Sequence, residues 1–354
     1  MKSARKNPIN LAAIDIGSNA ARLLIKTATF QEDGSVNLEK QQFIRFPLRL
    51  GVDVFQNGII SEEREEQFLC MIKAFKQFMN IYNVADYRAC ATSALRDATN
   101  GQKVLRRIRR RTGIDIELIS GEEEARVIYD NHTEQLLETA PRKNGLERTY
   151  LNVDVGGGST EISLIYQGLL MGSRSFNIGT LRLLIGLVDM DSIDDMCDEI
   201  RMMMVNRGPV SIIGSGGNIN KLYRLVPKKV RRDNRLSLTQ LEQLYDKLSS
   251  LSFEERMKQF DLRSSRADVI VPAAQIFISI ARAVKATEII VPTIGLADGI
   301  IKELCTKIQA GGGSVGKLVK TQSAISAMYL RKSNRPPAFS IGSPLTRQSH
   351  KWEK

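Results

Sequence analysis

Tyr150-Leu-Asn-Val-Asp154-Val-Gly-Gly-Gly-Ser-Thr160-Glu-Ile-Ser-Leu-Ile-Tyr166 reads as a strand, a glycine turn and a second strand. The run into Asp154 is apolar, and Glu161 to Tyr166 resumes the period-two alternation of a hairpin partner. Three successive glycines (Gly156, Gly157, Gly158) let the chain turn with positive φ. They also bring backbone N–H groups against an anion with no Cβ in the way. An acid at the mouth of such a loop repels phosphate, so Asp154 makes most sense with a cation between them. Taken alone, the stretch is equally a tight glycine hairpin.

The pattern recurs. Leu11-Ala-Ala-Ile-Asp15-Ile-Gly17-Ser18-Asn19-Ala-Ala-Arg22-Leu-Leu-Ile-Lys26 has the same plan of strand, Asp, Gly/Ser turn and strand. The two aspartates lie 139 positions apart, about one domain length. Two similar domains, each offering an Asp and a glycine turn, suggest a cleft in which both hairpins face one anionic ligand. A third turn, Gly214-Ser215-Gly216-Gly217, follows the apolar strand Pro209 to Ile213 and opens a helix, whose N–H groups and dipole favour phosphate.

Composition bounds the possibilities. The 354 residues suffice for two domains with their own cores, and 42% hydrophobic with 25% charged content is ordinary for a globular chain. No apolar run approaches the roughly 18 residues of a membrane span. The basic N-terminus is followed by an apolar stretch broken at Asp15, which argues against a signal peptide. Cys70, Cys90, Cys197 and Cys305 show no CxxC spacing and suit buried thiols in a reducing cytoplasm. With His132 and His350 the only histidines, a multi-histidine metal site and a His-based catalytic dyad in the cleft are not expected.

The formal charge is +12, of which residues 311–354 supply +7, from eight Lys/Arg against Glu353. That tail starts Gly311-Gly-Gly-Ser and is expected to be mostly disordered. In the body, cations cluster at Arg106–Arg111 and Lys228–Arg232. They read either as solvated surface or as an electrostatic track for a polyanion passing a cleft. Nucleic acid is not expected, because no aromatic-rich strand, zinc spacing or helix-turn-helix pattern supports readout.

Periodicity predicts helices at 62–80, 100–111, from 121, 179–187, 191–206, 216–225, 238–250, 266–285 and 298–310. Strands are predicted at 86–92, 114–119 and 288–291, with 94–98 a loop and 138–148 a linker. Ser120 and Glu123 have capping-box spacing. Strands alternating with helices in two similar halves give an α/β architecture.

At these residues the chain resembles the exopolyphosphatase / guanosine pentaphosphate phosphatase family, over about residues 9 to 310. The resemblance rests on Ala13-Ile-Asp15-Ile-Gly-Ser-Asn19, Ala91-Thr-Ser-Ala-Leu-Arg96-Asp-Ala, Ile119-Ser-Gly-Glu-Glu-Glu124-Ala-Arg126, Asp154-Val-Gly-Gly-Gly-Ser-Thr-Glu161, Gly179-Thr-Leu-Arg182 and Arg266-Ala-Asp268-Val-Ile. It implies two actin-like ATPase (ribonuclease H-like) domains flanking an interdomain cleft, at 1–135 and 136–310. The last helix would pack back on the first domain, and residues 311–354 form the tail. The chain looks like the short form, without the HD-type C-terminal domain of longer members.

The resemblance assigns Glu124 as general base, leaving Glu122 and Glu123 as helix-start acids that suit the dipole. Asp15, Asp154 and Glu161 are then the expected ligands of a divalent ion, most plausibly magnesium, partly through water. Gly17–Asn19, Gly156–Ser159 and Gly214–Gly217 would cradle successive phosphates, with Arg22 and Arg96 neutralising the terminal phosphoryl group. Three departures bear on substrate preference: Asn218 follows the third glycine pair where a threonine is usual, Ala297 stands where an arginine is common, and Arg22 occupies a position that varies among members. The implied activity is metal-dependent release of orthophosphate from inorganic polyphosphate, with hydrolysis of guanosine pentaphosphate to the tetraphosphate as the alternative. A small-molecule kinase or a non-catalytic nucleotide- or polyphosphate-binding member are the readings from other classes. A cytoplasmic homodimer is the expectation from base rates.

Overall fold

The first hairpin is β1 (Ile9–Ile16) and β2 (Ala21–Phe30), extended by the antiparallel β3 (Val36–Phe46). α1 (Leu50–Asn57) and α2 (Glu62–Ile81) lead to β4 (Val84–Ala91), which pairs parallel with β1. α3 (Ser93–Asp97), α4 (Gly101–Thr112) and the short β5 (Glu117–Leu118) complete a five-stranded sheet in the order β3-β2-β1-β4-β5. α5 (Gly121–Thr139) follows. The plan then repeats, with β6 (Thr149–Val155), β7 (Thr160–Tyr166) and β8 (Leu169–Phe176) as an antiparallel meander. After α6 (Thr180–Leu184) and α7 (Met190–Met203), β9 (Val210–Ser215) pairs parallel with β6, and α8 (Gly216–Leu225) starts at its end. β10 (Arg235–Ser237), α9 (Leu238–Ser249), α10 (Phe253–Phe260), α11 (Ser264–Ala267), α12 (Ile270–Ala283), β11 (Glu288–Ile290) and α13 (Leu296–Gln309) are the remaining elements among the described residues. The second sheet runs β10-β11-β9-β6-β7-β8. This computed structural model describes residues 7–139, 149–205, 209–227 and 234–311, without the side chains of 131–139. The tail from 312, the linker at 140–148 and the cluster Lys228–Arg232 lie outside the described residues.

Strand alternation sets the layers. Ala12, Ile14 and Ile16 face a core with Phe68, Ile72 and Phe75 of α2, while Leu11 and Ala13 face Ile300, Ile301 and Leu304 of α13. Asp15 follows Leu11 and Ala13 on that second face. In the other sheet, Leu151, Val153 and Val155 pack on α7 and α12, which leaves Asn152 and Asp154 on the opposite face. The halves share contacts: Leu181 of α6 and Val269 lie in the first half's core. The described residues accordingly form one compact unit.

Several local expectations are corrected. Residues 94–98 are not a loop, since α3 makes a helical turn there. The expected strand 114–119 pairs only at Glu117–Leu118. Asn100 caps α4 without a side-chain bond to the helix, because its amide is spent on the backbone of Ile60. The expected helix 266–285 is broken between α11 and α12, and α12 starts afresh with Pro272 in its first turn, where a missing N–H is tolerated. The Arg106–Arg111 cluster lies on α4, with Arg106, Arg109, Arg110 and Arg111 exposed and Arg107 on Glu65 at 3.2 Å. Among the described residues no helix is long and apolar enough to cross a membrane.

Candidate active site

Register gives the two hairpins one geometry and opposite charges. Asp15 stands across from Arg22, and Asp154, at the same place in the second hairpin, stands across from Glu161. Asp15 is ion-paired with Arg22. Asp154 meets a like charge instead. Burial first, then Glu161, push its carboxyl up to about 7, with Arg22 pulling the other way. Burial likewise raises Glu161, against the hydroxyls of Ser159 and Ser175 that donate to it, Ser175 Oγ at 3.0 Å.

Glu124 joins them from the first turn of α5. Ser120 Oγ accepts from the N–H of Glu123 at 3.1 Å, but Glu123 does not close the expected capping box. Its carboxylate turns away to Arg88 at 2.7 Å. Glu124 points into the acid cluster, and burial, then Glu161, raise it well above the ordinary carboxylate range, while Arg96 opposes. Arg96, carried by α3, donates to the carbonyl of Ile119 at 2.8 Å and lies 3.5 Å from Glu124 Oε2. The structure thus brings Asp15, Arg22, Arg96, Glu124, Asp154 and Glu161 within electrostatic reach of one another.

The glycine loops press directly on each other. A Cβ on Gly157 would lie 3.1 Å from Ser18 Cβ and 3.3 Å from Asn19 N, and one on Gly158 would strike Ser93, Phe55 and Ser18. Close approach, not positive φ, is therefore why residues 156–158 are glycine; none of the three has positive φ. Ser18 Oγ accepts from Ala94 N at 3.2 Å, tying this contact to α3. Among the described residues, the backbone N–H groups of Ser18, Asn19, Gly157 and Gly158 have no protein acceptor, so four donors remain for an anion. In the third loop, Gly216 does have φ +83°, and the Asp154 carboxylate lies where its Cβ would be. Gly214 is different: its missing Cβ makes room for Ile219 and Ile289 inside the sheet. Ser215 Oγ donates to Asn152 at 2.7 Å.

The cleft also holds residues to which the sequence reading gave no role. Arg266, on α11, is half-buried and donates to Asn218 Oδ1 at 2.6 Å. Arg45 of β3 donates to Ser265 Oγ at 3.1 Å. Arg182 of α6 donates to the Gly158 carbonyl at 2.8 Å, stacks over Phe55 at 4.1 Å and pairs with Asp97. Arg182 and Arg266 stood inside quoted motifs, but only their long-range partners reveal what they do.

The donor set suits magnesium, which takes hard oxygen ligands and keeps several waters. Among the described residues no three of His, Cys, Asp and Glu are grouped to enclose an ion. That fits an ion held through one or two carboxylates, the rest of its shell coming from water and a ligand's phosphate oxygens. Asp154 and Glu161 are the pair whose mutual repulsion such an ion relieves, whereas Asp15 is already met by Arg22.

A sequence profile of the Ppx/GppA phosphatase family matches residues 39–308. The bifunctional 3-dehydroquinate synthase/phosphatase of Fusobacterium nucleatum is 30% identical over 181 residues, 50% of this chain and 26% of that protein. Exopolyphosphatase 1 of Mycobacterium tuberculosis is 30% identical over 155 residues, 44% of this chain and 42% of that protein. The chain thus spans less than half the length of these two relatives. The crystal structure of the Aquifex aeolicus Ppx/GppA family member superposes with a TM-score of 0.66 at 26% identity, covering 87% of this chain and 100% of that one. On the extent of the profile match and the shared two-domain actin-like ATPase fold, the chain belongs to the Ppx/GppA phosphatase family.

Proposed function

We propose that this chain is a phosphoanhydride hydrolase that releases orthophosphate from the end of inorganic polyphosphate. The observation that carries this is Glu124, a carboxylate of raised pKa only 13% exposed, set among two Asp hairpins, four unused backbone donors and the guanidinium groups of Arg22 and Arg96. A base of raised pKa takes a proton from water more readily than an ordinary carboxylate. In the reaction, water loses its proton to Glu124 as its oxygen bonds the terminal phosphorus. The bridging P–O bond breaks, and its electrons leave with the shortened chain, which is already an anion. The N–H groups of Ser18, Asn19, Gly157 and Gly158, with Arg22 and Arg96, meet charge that spreads over the phosphoryl oxygens in the transition state. A magnesium ion held by Asp154 and Glu161 would draw charge from those oxygens and orient the phosphates.

A run of cations favours a long polyanion over a nucleotide. Arg22, Arg45 and Arg224 lie within electrostatic reach of Arg266. Burial, then like charge, lower Arg45 to about 10 and Arg266 to about 9. An arginine stays charged near neutral pH, so each position is short of negative charge rather than neutralised.

The test is orthophosphate release, with magnesium, from long polyphosphate, short polyphosphate, guanosine pentaphosphate and ATP. Release from long chains at the highest kcat/KM is expected, and release from none of the first three sinks the proposal. Faster turnover of guanosine pentaphosphate would move the substrate to the nucleotide. Glu124→Gln should lower kcat by roughly 10²–10⁴-fold while polyphosphate still binds. Near-normal turnover would remove Glu124 from its role.

A further inference from the structure

α6 has a hold on all three glycine carbonyls of the loop at 156–158. The N–H of Thr180 donates to the Gly156 carbonyl at 3.0 Å, and that of Leu181 to the Gly157 carbonyl at 2.8 Å. The Gly158 carbonyl is met by a side chain instead, Arg182 Nε at 2.8 Å. Gly179, which caps the helix, permits this approach, since a Cβ there would lie 2.5 Å from the Gly157 oxygen. In a planar trans peptide the N–H points opposite to the C=O, so carbonyls turned onto α6 leave the following N–H groups facing away from it. Those of Gly157 and Gly158 are two of the four donors without a protein acceptor among the described residues.

The guanidinium that completes this set also crosses to the first half. Its carbon sits 4.1 Å from the centroid of the Phe55 ring on α1, and its Nη2 is ion-paired with Asp97. Asp97 is the last residue of α3, a helix of five residues, and directly follows Arg96. Arg96 in turn lies within electrostatic reach of Glu161 in the second half. One edge of the Arg182 group is thus on the loop of its own half, and another on the helix that carries Arg96. With Arg182 15% and Asp97 37% exposed, solvent screens the pair and its direct contribution to stability is small. What it fixes is direction. A planar fork bonded on two edges and stacked on its face has one orientation, which the single nitrogen of a lysine does not reproduce.

We propose that Arg182 is a positioning residue that holds α3 against the Gly156–Ser159 loop, and thereby sets Arg96 of the first half against Glu161 of the second. This rests on the phosphoanhydride-hydrolase reading above. Without Arg182, the backbone of α6 still holds the Gly156 and Gly157 carbonyls, so ground-state binding depends on it little. Arg96 answers charge that grows on the phosphoryl oxygens in the transition state, where an error of about 1 Å costs up to roughly 10²-fold. Loss of Arg182 therefore acts on kcat rather than on KM.

The experiment measures orthophosphate release from long-chain polyphosphate by the full chain with magnesium, with thermal melting of every variant. R182M is expected to lower kcat roughly 10–100-fold, with KM within about threefold of the parent. R182K does not restore kcat, and D97A lowers it at least about threefold. R96M/R182M is no slower than R96M alone, and D97A/R182M no slower than R182M, because the guanidinium acts on Arg96 through Asp97. The proposal is overturned if R182M keeps kcat within about twofold of the parent, whatever its Tm and KM, or if the effects of R182M and R96M multiply. Should R182M fail to fold, D97A decides. It leaves α6 and its contacts with the loop in place, and an unchanged kcat overturns the proposal. A parent that releases no phosphate from polyphosphate or guanosine pentaphosphate defeats the functional reading instead.

Discussion

At the scale of single residues, the site is built from one position used twice with opposite sign. Arg22 and Glu161 occupy matching places across from Asp15 and Asp154, so the first hairpin is neutralised internally and the second is not. Asp154 makes the consequence measurable. Its folded-state pKa of about 7 lies above that of an unfolded aspartate, so between roughly pH 4 and 7 the folded chain holds a proton that the unfolded chain has lost. The stability this proton confers is complete below the unfolded value and is lost as pH rises through the folded one. In chelator, the protein should therefore melt earlier at pH 8 than at pH 6, beyond whatever other groups contribute. Asp154→Asn should flatten that slope and raise Tm at pH 8 by a few degrees while orthophosphate release collapses. A variant that melts earlier than the parent at pH 8 contradicts the account.

At the scale of elements, α5 shows what sequence could and could not say. Its start at Ser120-Gly121 was legible, because the cap residue and the acids of the first turn mark it locally. The direction taken by Glu123 was not, because Arg88 lies on another strand and also engages Glu117 at 2.8 Å and Glu303 of α13 at 2.5 Å. The first turn is thus pinned from behind by Arg88 and from the cleft side by Arg96. Arg88→Met should cost roughly 2–3 kcal/mol, less than a fully buried pair because Glu117 is 54% and Glu123 36% exposed. Thermal melting reads the loss, and an unchanged Tm would mean the network contributes nothing. α10 was missed although Ser252 and Glu255 form a complete capping box, a local signal that was available. The break before α12 was hidden because apolar spacing runs on through Asp268, and what interrupts the helix is that residue's bond to Arg49 at 2.5 Å on the other half.

At the scale of the molecule, duplication of the Asp–glycine hairpin made two halves legible, since strand, acid and turn are all local features. The surfaces on which the halves meet were not legible. They depend on single long-range contacts: Asn19 Nδ2 to the Ser265 carbonyl at 3.0 Å, Arg49 to Asp268, and Arg182 to the Gly158 carbonyl and Asp97. Leu181 is the apolar member of this set. It is carried by α6 of the second half yet fully buried in the first half's core, against Gly51, and its Cδ1 lies 3.3 Å from where a Cβ on Gly157 would be. It therefore supports the contact between the two glycine loops from below. Leu181→Ala should cost about 2–5 kcal/mol as a buried leucine truncation. Its effect should also be local. Amide exchange should quicken at Ser18, Asn19, Gly157 and Gly158 more than in the strands of either sheet, because the loops lose the side chain that holds them together. Polyphosphate KM should rise with that loosening, since four backbone donors must then be ordered by the ligand itself. Exchange that quickens equally through both sheets, with KM unchanged, would show Leu181 to be ordinary core and the loop contact to be independent of it.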